Sequence, residues 1–577
     1  LTLVLLSSCV NADKHWNDWD GSSGSGGDSL SISGDTIPGL ISLTISPENA
    51  TVDQVLNQTK QITYKVMGQF VSGQQDLTSK ATFLTTDTTL GYFNKATLIP
   101  TKNLGGKTTV KAYVGSKGVS TSLTLRVTTS VVDPGVPKDA ATLFKDPCTG
   151  GGVIKVAYPE AGAMVPPNLA DFTVMWVDTA SDLWELSLKS DTVDVKVYTT
   201  ETKHQVSRSV WQLLAFSNLA ESLKLTVRGV KQASAGQCTQ SSTNLVAIGP
   251  TEIKGGIYYW ITAPDSAIMR YDFGQTEKKP ELFVGEKSLG YCVGCHAISP
   301  DGTRLSFTDD SRYGEVMEVK TKKWFTTRGK RELATRVTFQ AFTPDNKYLI
   351  SSDQGKMSIR DGASGKTLSQ LNLGGPATQP EISPAGDALV YVIPGDQWGG
   401  LYFIAGSIAV APLSGATVGK PKIIVQGNFT QNNYYPSFSP DGEWVIFNRA
   451  EGRNYSNPEA ELWVIKATGG TPVLLKRANQ GKTLGNSWPR WSPFIQQTEG
   501  RKLFWFSFSS IRDYGTLLPN NTLGVDDRIH QIWMTAFDPA LAAAGQDPSY
   551  PAFWLPYQEL KSKNHLAQWT KKVPVVQ

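Results

Sequence analysis

Two thiols and an imidazole stand within five residues in the run Tyr291-Cys292-Val293-Gly294-Cys295-His296. Cys292 and Cys295 at this spacing can add to the two vinyl groups of a porphyrin as thioethers. His296, directly after them, could then lie under the iron as an axial ligand, the pattern of covalent c-type haem attachment. The same two sulfurs could instead close a structural disulfide or act as a thiol–disulfide pair. The last is the weakest of the three, because a reactive Cys-x-x-Cys usually opens a helix and this one precedes a strand pattern. Cysteine and histidine occur only five times each in 577 residues, so abundance does not explain the juxtaposition.

Little else in the chain is catalytic material. No Gly-x-Ser-x-Gly elbow and no His-Glu-x-x-His run is present. Asp309-Asp310 and Asp526-Asp527 read as solvated turns, and His204 as a surface residue in a polar stretch. This inventory favours electron transfer or binding over catalysis. A haem needs a second ligand or an open site. Met269, Met317, Met357 and Met534 are chemically able, although buried packing is the commoner role of methionine.

The elements that must position these residues repeat along the second half of the chain. Ala297-Ile-Ser-Pro-Asp-Gly302, Ala341-Phe-Thr-Pro-Asp-Asn346, Glu381-Ile-Ser-Pro-Ala-Gly386, Ser437-Phe-Ser-Pro-Asp-Gly442 and the degenerate Arg490-Trp-Ser-Pro493 each precede an apolar strand. Pro sets φ, Asp caps and Gly accepts positive φ, so each marker is a tight turn between strands. Four-stranded units at this spacing predict a β-propeller of roughly six blades over 251–577. Gly256–Thr262, Ala267–Tyr271 and Glu281–Val284 supply three strands of a first blade. Asn564-His-Leu-Ala-Gln-Trp569 is the leftover segment expected to return and close it.

Aligned on the turns, His296 coincides with Gln340, Pro380, Pro436 and Pro489, at the start of an innermost strand near one channel mouth. If Asn564–Ala567 takes the same register, His565 becomes the neighbouring-blade counterpart of His296, and the two could ligate one iron. His530, at the start of another strand, is the alternative second ligand. Tyr434, Tyr435, Trp488 and Trp491 would line the mouth or pack the blades.

These repeats resemble TolB-type propeller repeats. The whole chain, including Trp554-Leu-Pro and Asn564–Trp569, resembles TolB-like propeller lipoproteins of myxobacterial type, which implies architecture and an envelope address more than an activity. Upstream, Leu40–Ile45, Gln61–Val66, Thr108–Val114 and Ser122–Val127 alternate with period two. This predicts a β-sandwich over 38–131 that resembles bacterial immunoglobulin-like domains. A second sandwich, resembling fibronectin type III, is expected over 138–250 with Trp176 in its core, after a linker at Asp133–Pro137. Overall the fold class is all-β.

Leu1–Cys9 resembles the end of a lipoprotein signal peptide, with Leu6-Ser-Ser-Cys9 as a lipobox. Cys9 would then carry lipid and residues 10–37, rich in Gly and Ser, would be a tether. Val10 in place of Asp favours the outer membrane. Export permits disulfides, and Cys148 and Cys238 remain to pair. The net charge of +4 is too balanced to argue for nucleic acid. The leading expectation is a cell-envelope lipoprotein whose propeller carries one haem c for electron transfer or redox sensing, with a redox partner. The alternative is a binding scaffold for protein or glycan, with Cys292–Cys295 as a disulfide.

Overall fold

The computed structural model describes residues 36–575 apart from short stretches at 145–147, 149–153, 235–237, 276–277, 310–312, 326–335, 397–398, 482, 499 and 525–526. Cys9, most of the expected tether, Asp310 and Asp526 lie outside the described residues.

Six antiparallel sheets follow one another from residue 256 onward, each with its earliest strand innermost except the first. The first is built of Glu281–Gly285, Ala267–Asp272, Gly256–Ala263 and, innermost, the C-terminal strand Lys563–Thr570. Chain closure through the last strand is therefore as the repeat pattern requires, and it removes the free edge that blade one would otherwise expose. The innermost strands of blades two to six are His296–Ile298, Phe339–Phe342, Thr378–Ile382, Asn432–Phe438 and Ser487–Trp491.

The Ser-Pro-Asp-Gly turns owe their shape to side chains. Asp301 accepts hydrogen bonds from Ser299 Oγ (2.7 Å) and Thr303 N (2.9 Å), while Gly302 sits at φ 76°. Thr343 with Asp345, and Ser439 with Asp441, repeat the arrangement. In blade four Ala385 replaces the Asp, and Asp387 takes over the bond to Ser383 Oγ (2.7 Å). These short bonds fix where each inner strand ends.

Four of the inner strands are interrupted. Register slips between Thr378 and Glu381, Tyr434 and Ser437, and Ser487 and Arg490, and the Lys563–Thr570 strand slips between His565 and Gln568. At each bulge one residue takes a left-handed φ: Gln379 (53°), Tyr435 (53°), Trp488 (55°) and Leu566 (48°). Such a conformation costs about 1–2 kcal/mol per non-Gly residue. In three blades the next residue is Pro380, Pro436 or Pro489, which has no N–H to lose when the ladder breaks. Blades two and three lack the bulge, since His296 pairs with Phe307 and Gln340 with Ser351 in regular register.

The sandwich modules are less separate than the expected linker at 133–137 implies. A single strand, Lys117–Val132, pairs antiparallel with Gly106–Val114, then continues parallel to Val193–Thr199 in the second module. One ten-stranded sheet thus runs through both. Its apolar alternation persists past Leu125 to Val127, and Asp133 N then donates to Tyr198 O (3.0 Å). The second module also carries a helix, Arg208–Phe216, whose Val210, Trp211, Leu213 and Leu214 enter the core beside the fully buried Trp176. That core runs without interruption into blades one and six through Tyr259, Trp505, Phe553 and Trp569. Cys148 and Cys238 form the expected disulfide.

Candidate functional site

The Cys292–His296 run is a short irregular segment tied down at both ends. Tyr291 Oη donates to the Glu315 carboxylate (2.7 Å), Val293 N to Ser266 Oγ of blade one (2.9 Å), and Gly294 N to Thr308 O (2.8 Å). Cys292 and Cys295 are half-buried thiols, neither of them in a disulfide. The disulfide expected between them under the scaffold alternative is not formed. Nor does the pair open a helix, the setting that would activate a thiol–disulfide centre.

Cys295 belongs to a ring of side chains at one level of the channel. The matching positions in the other blades are Phe339, in regular register, and Gln379, Tyr435, Trp488 and Leu566, which the bulges turn out of the ladder. Their rings meet across the channel. Tyr435 stacks on Trp488 with centroids 3.7 Å apart, and Phe339 lies 5.9 Å from Trp488, although it comes from a non-adjacent blade. Gln379 Oε1 accepts from Tyr435 N (2.6 Å), and Cys295 is close enough to influence the ionisation of Tyr435 and Tyr455 electrostatically. The channel is plugged here. It has a thiol-side mouth and, below the plug, a turn-side cavity. Tyr435 and Trp488 therefore fill the axis, whereas Trp491 packs within its blade against Phe504, Phe506 and Phe537.

His296 does not face the thiol-side mouth as expected. The residue is 2% exposed, and Nε2–H donates to Tyr258 O of blade one at 3.0 Å. Nδ1, left as the lone-pair nitrogen, is buried without a partner. Burial, helped by the charge of Arg490 and opposed by the Tyr258 carbonyl, pushes its pKa down to about 4. The regular register of blade two explains the orientation: without a bulge, the residue after Cys295 stays in the ladder, against the neighbouring blade.

His565 also differs from its expected place. The register slip puts it level with Thr378, Tyr434 and Ser487, so Ala567 rather than His565 corresponds to His296. A bulge adds residues that turn-based alignment cannot count. His565 meets His530 instead, with ring centroids 4.2 Å apart and planes inclined by 41°. Both keep some accessible surface while lying deep in the protein, as residues along an internal channel do. Among the described residues neither imidazole has a hydrogen-bond partner for a ring nitrogen, and His530 Nδ1 is sealed from solvent as well. Burial lowers both pKa values, that of His530 to about 4, with Lys563 acting in the same direction. The pKa of His565 is also pushed well below its ordinary value, by burial first and then by His530 beside it.

Among the described residues no three His, Cys, Asp or Glu side chains are grouped as a metal site. The methionines considered as ligands serve packing: Met317, Met357 and Met534 are buried and Met269 packs against the core. His204, expected at the surface, has a side chain only 10% exposed, with Nδ1 3.1 Å from Asp133 Oδ2, and ties down the segment after the shared strand. Sequence reasoning missed the His530–His565 contact and the plug. The Tyr-Pro and Trp-Pro pairs ahead of the turns were the available signal for bulges.

No family model matches this chain, and no curated protein matches it. Among solved structures, a putative TolB from Agrobacterium tumefaciens is similar at 13% identity and TM-score 0.33, over 55% of this chain and 98% of that one. TolB from Acinetobacter baumannii is similar at 13% identity and TM-score 0.32, over 61% of this chain and 80% of that one. The dihydro-haem d1 dehydrogenase NirN in complex with DHE is similar at 13% identity and TM-score 0.30, over 52% and 53%. Likenesses this low carry no function across; the propeller rests on the six sheets themselves.

Proposed function

We propose that the thiol-side mouth carries one haem c, attached through Cys292 and Cys295, in a cell-envelope lipoprotein anchored at Cys9 and working in electron transfer or redox sensing. The observation that carries this reading is the presence of two thiols at haem-attachment spacing, neither in a disulfide, together with two adjoining imidazoles that lack hydrogen-bond partners among the described residues. Attachment would need Cys292 and Cys295 both as reduced thiols, since each S–H would add across one vinyl group. Bound there, the group supplies a one-electron couple.

The chain's own residues divide the work. Cys292 and Cys295 would hold the group, and the apolar plug of Phe339, Tyr435, Trp488 and Leu566 would keep water out of the channel on that side. His565, or His530 beside it, is the iron ligand, since both are neutral and have ring nitrogens to offer. His296 is a positioning residue: its bond to Tyr258 O pins the end of the thiol loop to blade one.

Expression in a bacterial periplasm with cytochrome c maturation machinery tests this. A haem stain that survives a denaturing gel and a reduced-minus-oxidised c-type spectrum are expected, and both should vanish in Cys292→Ser/Cys295→Ser. A chain that stays colourless with maturation machinery present contradicts the reading. His565→Ala should turn a low-spin spectrum high-spin, and His296→Gln should leave it low-spin.

A further inference from the structure

Below the plug, the turn-side mouth encloses a cavity of about 390 Å³. The residues one place beyond the His296 level form its upper ring: Ala297, Ala341, Glu381, Ser437, Arg490 and Gln568. Blades two, three and five contribute small side chains, which make the space, and blades four, six and one contribute functional ones. The composition of this ring is uneven in a way that blade packing does not require.

Arg490 is short of acceptors. Among the described residues its five N–H donors make one hydrogen bond, from Nη1 to Pro489 O (2.8 Å). Nε lies 3.5 Å from Glu381 Oε2 as an ion pair without hydrogen-bond geometry, and is sealed from solvent. Glu381 is already served elsewhere, its Oε1 accepting from Ser437 Oγ (2.8 Å) and Phe438 N (3.0 Å). Gln568 has no side-chain partner among the described residues and also lines the cavity. A second cation, the exposed Lys571, stands at the rim. Around it the five turn prolines, Pro300, Pro344, Pro384, Pro440 and Pro493, form a wall with no N–H to offer.

Unused donors of Arg490 and Gln568 at the inner end, beside a Glu381 carboxylate already occupied by Ser437 and Phe438, a cation at the rim and a wall of prolines between them are complementary to one chemistry. We propose that this cavity binds a small, largely apolar organic acid, its carboxylate reaching Arg490 and Gln568 and its body lying against the prolines. The volume suits a small molecule. A carboxylate is preferred over a neutral carbonyl because it can accept several of the unused donors at once, with charge assistance. The plug separates this site from Cys292 and the histidine pair, so it stands or falls independently of haem attachment.

Isothermal titration of the full chain with N-acetyl-L-phenylalanine tests the proposal, with N-acetyl-L-phenylalaninamide as the uncharged twin. Saturable one-site binding of the acid is expected, with the amide weaker by at least about tenfold. Gln568→Glu, which replaces a donor by a second carboxylate besides that of Glu381, should abolish binding. Lys571→Glu, on the surface where folding is not at risk, should weaken it severalfold. Cys292→Ser/Cys295→Ser should bind as the parent does. Absence of saturable binding, equal binding of acid and amide, or indifference to Lys571→Glu would overturn the proposal.

Discussion

Burial of a neutral imidazole has a price in acid. His296, His530 and His565 all have folded-state pKa values pushed below the ordinary 6.5, the first two to about 4. Above pH 6.5 both folded and unfolded chains hold them neutral, and stability from this source is complete. As pH falls below 6.5 the unfolded chain takes up protons that the folded chain refuses, so stability is lost progressively down to about pH 4. Each group contributes a slope of up to about 1.4 kcal/mol per pH unit in that window. His296→Gln removes one such group while its amide can still donate to Tyr258 O. The variant should therefore melt with a shallower dependence on pH between 6.5 and 4.5 than the parent in calorimetry at one scan rate. Parallel curves would show that His296 does not titrate as its burial requires.

At the scale of elements, the inner strands decide what the channel can hold. Trp488 sits at a left-handed φ with its ring stacked on Tyr435, so it is both strained and central to the plug. Trp488→Ala should cost about 3–5 kcal/mol, the range for large-to-small aromatic replacements in a core. It should also connect the two mouths, seen as faster hydrogen exchange of the inner strands in blades five and six. A loss below 1 kcal/mol would mean that the stack is incidental. The turns and the strands after them were legible in the sequence because Pro, Asp and Gly each leave a local mark, as in Ser299–Gly302. The return of Asn564–Trp569 to blade one was legible as well, since three strands needed a fourth. The bulges were not. They depend on which residue meets a neighbour across the axis, and that misplaced His565 by two positions relative to His296. The orientation of His296 was hidden for a related reason: its partner is a backbone carbonyl, Tyr258 O, which no side-chain pattern reveals. The shared strand Lys117–Val132 was read short because Asp133-Pro-Gly looks like a linker whether or not the preceding strand crosses modules.

As a whole molecule, the chain closes its propeller with its last strand and braces it with a sandwich that shares its core. Lys563–Thr570 supplies the innermost strand of blade one, so deletion of 563–577 should expose the edge of Gly256–Ala263 and drive aggregation. Size-exclusion chromatography of the shortened chain checks this, and a stable monomer would contradict it. Cys148–Cys238 closes a 90-residue separation within the second module. Its removal should cost about 2–5 kcal/mol, with hydrogen exchange rising across 154–248 and, through the continuous core, in blades one and six. The central claim concerns the thiol-side mouth, and intact mass spectrometry under denaturing conditions tests it most directly. Chain matured with c-type haem machinery should have the chain mass plus one haem, reverting to chain mass alone in Cys292→Ser/Cys295→Ser. A parent chain at its own mass, with Cys292 and Cys295 recovered as free thiols or as a disulfide, would contradict it.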